Sequence, residues 1–286
     1  MRCGTSHAGL RFLYMPEHVS DPSSPPVLLQ NRDGRLLTLT LNAPASHNRL
    51  TLSMCRELAE ALREADRDAS VGAVLLKGAG AAFCIGTDAQ ELLLEGAVEA
   101  ASIHEELFTI GGSLTTPLVC QVQGAAHGAG VALLANAHVT LAAQGTTFGL
   151  TEIRMGDWPF VAFRSLAEAV GERRATELAL SGRIFGTNEA LQYSLIHAVT
   201  PPFELEERAE ATARLLAESS GELIRRGLDF VGRTRAMPWG DAGALARQVR
   251  SEWLRHPDFA EGVAALAERR KPDWPSLRES AQERER

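Results

Sequence analysis

A cysteine framework, basic runs and long apolar stretches are all missing from this chain, and each absence narrows what it can be. The four cysteines, Cys3, Cys55, Cys84 and Cys120, are widely scattered with no CxxC pair. That suits thiols in a reducing compartment and not a disulfide scaffold. The formal net charge is -7 and no block of Lys or Arg offers a local basic field, so nucleic acid is not an expected partner. No stretch approaches the roughly 18 apolar residues a membrane helix needs. The N-terminus shows no apolar segment after its basic residue. A cytoplasmic protein without membrane contact is therefore expected. No metal-ligand cluster, P-loop or dinucleotide fingerprint is present, so neither a metal nor a bound cofactor is expected.

With 286 residues and 45% hydrophobic content the chain can bury a substantial core, as one large domain or one domain with an appendage. Residues 1–26 carry no periodicity and include Asp21-Pro22-Ser23-Ser24-Pro25-Pro26, which reads as a disordered tail. Asp33-Gly34, between Val27-Leu28-Leu29-Gln30 and the alternating run Arg35 to Leu41, predicts a hairpin. Thr51 or Ser53 caps a predicted helix to about Ala69, with Leu52, Cys55, Leu58, Leu62 and Ala65 on one face. Strands are predicted at Val71 to Lys77, Leu118 to Val122 and Val139 to Ala142, with helices from Val98 to about Ile110 and from His127 to Asn136. Such alternation argues for an α/β core over residues 27–200. The pattern is mostly helical from about Glu172, with breaks at Gly182, Pro201-Pro202, Pro238 and Pro257 and one apolar piece at Leu195 to Val199. Residues 201–286 are expected to form a helical C-terminal region.

Two glycine-flanked segments follow predicted strands: Phe83-Cys84-Ile85-Gly86-Thr87-Asp88 and Gln123-Gly124-Ala125-Ala126-His127-Gly128-Ala129-Gly130. A tight turn that leaves a strand and opens a helix points unbonded backbone N–H groups one way. Two such turns face to face can hold a developing oxyanion, which is the equipment of carbonyl chemistry.

From Val27 to Trp274 the chain resembles the crotonase superfamily of enoyl-CoA hydratases and isomerases. The match runs through the hairpin, Asn48-Arg49-Leu50, FCIGTDAQEL, QGAAHGAG, Phe148-Gly149-Leu150-Thr151-Glu152, Gly182-Arg183, and Glu261-Gly262 to Arg270-Lys271-Pro272. The resemblance implies a spiral of ββα turns forming two sheets. It implies C-terminal helices that build a homotrimer or a dimer of trimers, and an acyl-CoA thioester as substrate, with coenzyme A present only as part of that substrate. It places the two thioester-binding amides on Thr87 and Ala129, among Cys84, Gly86 and Gly128. Fatty-acid metabolism is the expected setting. The same architecture serves Clp-type serine proteases, but no Ser-His-Asp arrangement is identifiable here, and fold alone does not decide function.

The family's hydratases use two glutamates, and only one position is kept: Glu152 matches the second, while Ala132 occupies the first. A single carboxylate is enough for a proton shuttle, so isomerisation or a related enolate reaction is expected over hydration. The alternative is a catalytically silent homologue that binds acyl-CoA or a protein partner. The apolar flanks of Glu152 should raise its pKa and make it a better base. After it, Gly156-Asp157-Trp158-Pro159-Phe160 replaces the usual glycine-rich loop, making Asp157, Trp158 and Phe160 candidate substrate-binding residues, with core packing the competing role for Trp158. His127 is expected to be packed or solvated at a helix start, and Cys84 to be a small buried thiol without chemistry. Gln90 and Ala45 stand where relatives often carry lysines. His47, Arg49 and, from a neighbouring subunit, Arg269, Arg270 or Lys271 are the candidate groups for the CoA phosphates.

Overall fold

The computed structural model describes residues 25–94 and 97–282. The tail expected over residues 1–26, apart from Pro25 and Pro26, lies outside the described residues, as does Cys3. The strands are β1 (Leu28–Asp33), β2 (Leu36–Leu41), β3 (Ala73–Gly78), β4 (Leu118–Val122), β5 (Ala125–His127), β6 (Val139–Ala143), β7 (Thr147–Gly149), β8 (Ile184–Gly186) and β9 (Ala198–Thr200). The helices are α1 (Leu52–Arg67), α2 (Ala89–Leu94), α3 (Ala97–Thr109), α4 (Ala129–Ala135), α5 (Phe163–Val170), α6 (Glu172–Ser181), α7 (Thr187–Gln192), α8 (Leu205–Ala217), α9 (Gly221–Thr234), α10 (Trp239–Trp253), α11 (Pro257–Glu268) and α12 (Pro275–Gln282).

Six strands form one sheet in the order β1-β2-β3-β4-β6-β9, and β5-β7-β8 form a second. Only β1 and β2 are antiparallel in the large sheet, joined by the turn in which Gly34 takes φ +58°. The rest of that sheet is parallel. Its central strands are covered on both faces, as parallel strands require. In β3, Val74 and Leu76 join a core with Leu58 and Leu62 of α1, whereas Ala73 and Leu75 join a second cluster with Ala209, Ala213 and Ala217 of α8. The helical C-terminal region thus begins as a layer of the sheet's outer face. Alanines on α8 let its backbone approach closely.

Two expected boundaries are corrected. The helix expected from His127 starts at Ala129, because Ala125–His127 pairs with β7 and Gly128 takes φ 53°, which no right-handed helix accommodates. The first helix ends at Arg67 and not near Ala69, since the Asp68 carboxylate turns to accept from the Ser70 amide at 2.8 Å. Thr51 caps it as expected, accepting from the Met54 amide at 3.2 Å.

Because β3 and β4 are parallel neighbours, the turns that follow them leave the same edge of the sheet. They are stitched together there: Cys84 donates to Ala125 O at 3.1 Å and accepts from the His127 amide at 2.9 Å. This register brings the two glycine segments face to face.

Candidate active site

Gly86 and Gly128 have φ of +109° and +53°, conformations that a side chain would strain. Their carbonyl groups are both used: Gly86 O accepts from Leu50 N at 2.8 Å, and Gly128 O accepts from Val131 N at 2.9 Å. No described peptide is cis. In a trans peptide the N–H points opposite to the C=O, so the Thr87 amide faces away from Leu50 and the Ala129 amide faces out of the start of α4. Among the described residues neither amide donates a backbone hydrogen bond. A Cβ built on Gly86 would stand 3.7 Å from the Ala129 nitrogen, so the turns touch. Ala129 is not among the described residues with positive φ, so alanine sits here without strain.

Glu152 starts a short 3-10 helix after β7, and its carboxyl reaches the same turn: Oε1 lies 3.1 Å from where a Gly128 Cβ would stand. Its Oε2 is buried without a hydrogen-bond partner. Burial raises the carboxyl above the usual glutamate range; its own backbone amide opposes this, and the Asp157 charge adds to it. Apolar flanks at Phe148 and Ile153 predict this direction.

Thr87, Ala129 and Glu152 line one cavity of about 480 Å³. Its remaining wall comes from Ala100, Ala101, His104 and Phe108 of α3 and from the run Asp157 to Ala162. The bulky segment after Glu152 therefore builds the cavity wall and does not fill the space. Trp158 both lines the cavity and packs on the core, its ring 5.8 Å from that of Phe163. Phe160 remains 77% exposed at the rim. Ala132 is fully buried and does not line the cavity. Cys84 is also fully buried, and burial pushes its thiol up to about 12, which leaves no thiolate for chemistry at neutral pH. Cys55 and Cys120 are buried free thiols as well. His127 stands at the end of β5, its Nε2 3.1 Å from Thr147 Oγ1, and is held below its ordinary pKa by burial and then by Arg154.

The candidate phosphate ligands divide. His47 and Arg49 are exposed on the loop before α1, and that loop abuts the first turn through the Leu50–Thr87 bridge. Between them the Asn48 side chain is fully buried, donating to Ala79 O and Ala82 O at 2.8 Å each and accepting from Ala43 N at 2.9 Å. Asn48→Asp would point an oxygen at both carbonyls. The expected loss is about 3 kcal/mol, read as a lowered urea midpoint, and an unchanged midpoint would refute this role. Arg270 is committed within its own chain to Glu261 and Glu268, and Lys271 is 94% exposed; neither lines the cavity. Arg269 takes φ 55° at the end of α11, away from the cavity lining.

His104 is the cavity residue that sequence reasoning missed. It is 8% exposed, and its Nε2 is buried with no hydrogen-bond partner. The available signal was its place on α3, flanked by Ala100, Ile103, Leu107 and Phe108 at helical spacing.

Two opposed glycine turns with free amides and a desolvated carboxyl, all lining one cavity of a crotonase fold, can polarise a carbonyl and move a proton beside it. The family model described as enoyl-CoA hydratase/isomerase matches residues 31–277, and the chain belongs to that family, whose members act on acyl-CoA thioesters. It is 30% identical over 251 residues to a probable enoyl-CoA hydratase of Mycobacterium bovis, covering 86% of this chain and 97% of that protein. It is 26% identical over 255 residues to the trans-2-decenoyl-[acyl-carrier-protein] isomerase of Streptococcus mutans, covering 86% and 97%. The crystal structure of an enoyl-CoA hydratase of Mycobacterium smegmatis superposes with a TM-score of 0.82 at 29% identity, covering 87% of this chain and 99% of that one. Among the described residues no helix is long and apolar enough to cross a membrane.

Proposed function

We propose that the protein shifts a double bond within an acyl-CoA thioester through an enolate, with the Thr87 and Ala129 amides holding the thioester oxygen and Glu152 moving the proton. The Glu152 carboxylate removes a proton from C2 of a 3-enoyl thioester, and the electron pair passes onto the oxygen held by the two amides. The enolate then collapses to the 2-enoyl thioester as the same carboxyl returns the proton at C4. No atom is gained or lost, so one carboxyl suffices. Hydration needs a second group to manage water, and Ala132 offers only a methyl. The observation that carries this reading is the Glu152 carboxyl lying against Gly128, the residue next to the free Ala129 amide, inside the same cavity.

This reading takes His47 and Arg49, exposed beside the Leu50–Thr87 bridge, as the groups of this chain that meet the CoA phosphates. It takes the assembly as a homotrimer or a dimer of trimers through C-terminal helices that leave Trp239, Leu254 and Leu266 exposed. Purified protein supplied with 3-enoyl-CoA and 2-enoyl-CoA thioesters tests it by product analysis. Conversion of the first to the 2-enoyl isomer, with little water added to the second, is expected. Efficient formation of the 3-hydroxyacyl product, or binding without turnover across the panel, contradicts it.

A further inference from the structure

Two residues that line the cavity each carry a buried polar atom without a hydrogen-bond partner. One, Glu152 Oε2, belongs to the proton shuttle; the other, His104 Nε2, has no place in it. Leaving a ring nitrogen desolvated and unbonded is unfavourable and calls for an explanation, and a ligand atom that completes it is one. His104 stands at the buried face of α3, its ring 5.5 Å from that of Phe108, and both residues line the cavity. Ala100, Ala101 and Ala162 of the lining offer no hydrogen-bonding side chain, while Asp157, which lines the same cavity, acts on the imidazole through its charge. Burial holds the imidazole below its ordinary pKa, with the Asp157 charge opposing. A neutral ring has one N–H and one acceptor nitrogen, which together match a hydroxyl or a keto oxygen.

Asn136, the residue after α4, donates to Phe108 O at 2.7 Å, tying the end of α4 to α3. One turn back from that contact α3 carries His104 and α4 carries Ala132.

We infer that His104 selects the acyl group: its imidazole hydrogen-bonds an oxygen function carried beyond the α carbon, so the site favours oxygenated acyl-CoA thioesters over plain hydrocarbon chains. This rests on the acyl-CoA reading of the site. A purely aliphatic chain would leave Nε2 bare in the complex, whereas a hydroxyl or keto group would satisfy it.

Calorimetric titration in a Glu152→Gln background, which keeps the ligand intact, tests the inference with hexanoyl-CoA, 3-hydroxyhexanoyl-CoA and 5-hydroxyhexanoyl-CoA. The ratio of hexanoyl to hydroxyhexanoyl dissociation constants is expected to fall about fivefold for at least one isomer when His104→Phe is added, the yield of one neutral hydrogen bond. His104→Gln, which keeps a polar nitrogen, should recover part of it. Hexanoyl-CoA binding in each variant reports that the site is still folded. A ratio unchanged by His104→Phe for both isomers overturns the inference, as does hexanoyl-CoA binding with neither hydroxylated ligand bound. If hexanoyl-CoA itself binds no better than CoA, the acyl-CoA reading fails first and this inference falls with it.

Discussion

Glu152→Gln is expected to lower kcat by about 10²–10⁴-fold while acyl-CoA affinity stays within a few-fold of the parent, the effect of removing a positioned proton carrier. Glutamine keeps the shape and the contact with Gly128 but cannot accept a proton. The same residue sets the pH profile. Burial is the largest influence on its carboxyl and raises its pKa, and the base works only when ionised. Activity should therefore fall as pH drops through a value above the ordinary glutamate pKa of ~4.3. The acid limb of kcat/KM should vanish, along with most of the rate, in the glutamine variant. Retention of full turnover would remove Glu152 from the chemistry.

Ala129→Pro removes one hydrogen atom from the proposed oxyanion site. Ala129 is the first residue of α4, where proline is well tolerated because its missing N–H has no helical partner to lose. The fold should therefore survive, with unfolding temperature and circular dichroism near those of the parent. Turnover should drop about 10²–10³-fold, the usual consequence of deleting one preorganised donor. A variant that is stable and fully active would show that this amide does not hold the reacting oxygen.

Much of this arrangement is legible in the residues. Alternating Leu37 to Leu41 around Asp33-Gly34 specified the hairpin, and the apolar spacing on α1 specified the buried face it presents to the sheet. Both glycine turns, and Glu152 after a short apolar run, stand out because each breaks a local pattern for a reason of geometry. The second sheet does not stand out. β5, β7 and β8 are three residues each, too short for alternation to register, and Ala125–His127 borrows helix-like composition from the helix behind Gly128. Their pairing depends on residues far apart in the chain, such as Phe148 facing Phe185. His104 was hidden for the opposite reason. It occupies a helix position where any core residue would fit, and its meaning comes from the loop Asp157 to Ala162 packed across the same cavity. Nor does composition reveal that Arg270 is held by Glu261 and Glu268.

The central claim is that this site makes an enolate, and proton exchange reads that step without knowledge of the final reaction. Saturated hexanoyl-CoA incubated with the protein in deuterium oxide, followed by proton NMR, should lose its C2 hydrogen signals in the parent and keep them in the Glu152→Gln and Ala129→Pro variants. Hexanoyl-CoA that binds the parent yet shows no exchange at C2 would contradict the account.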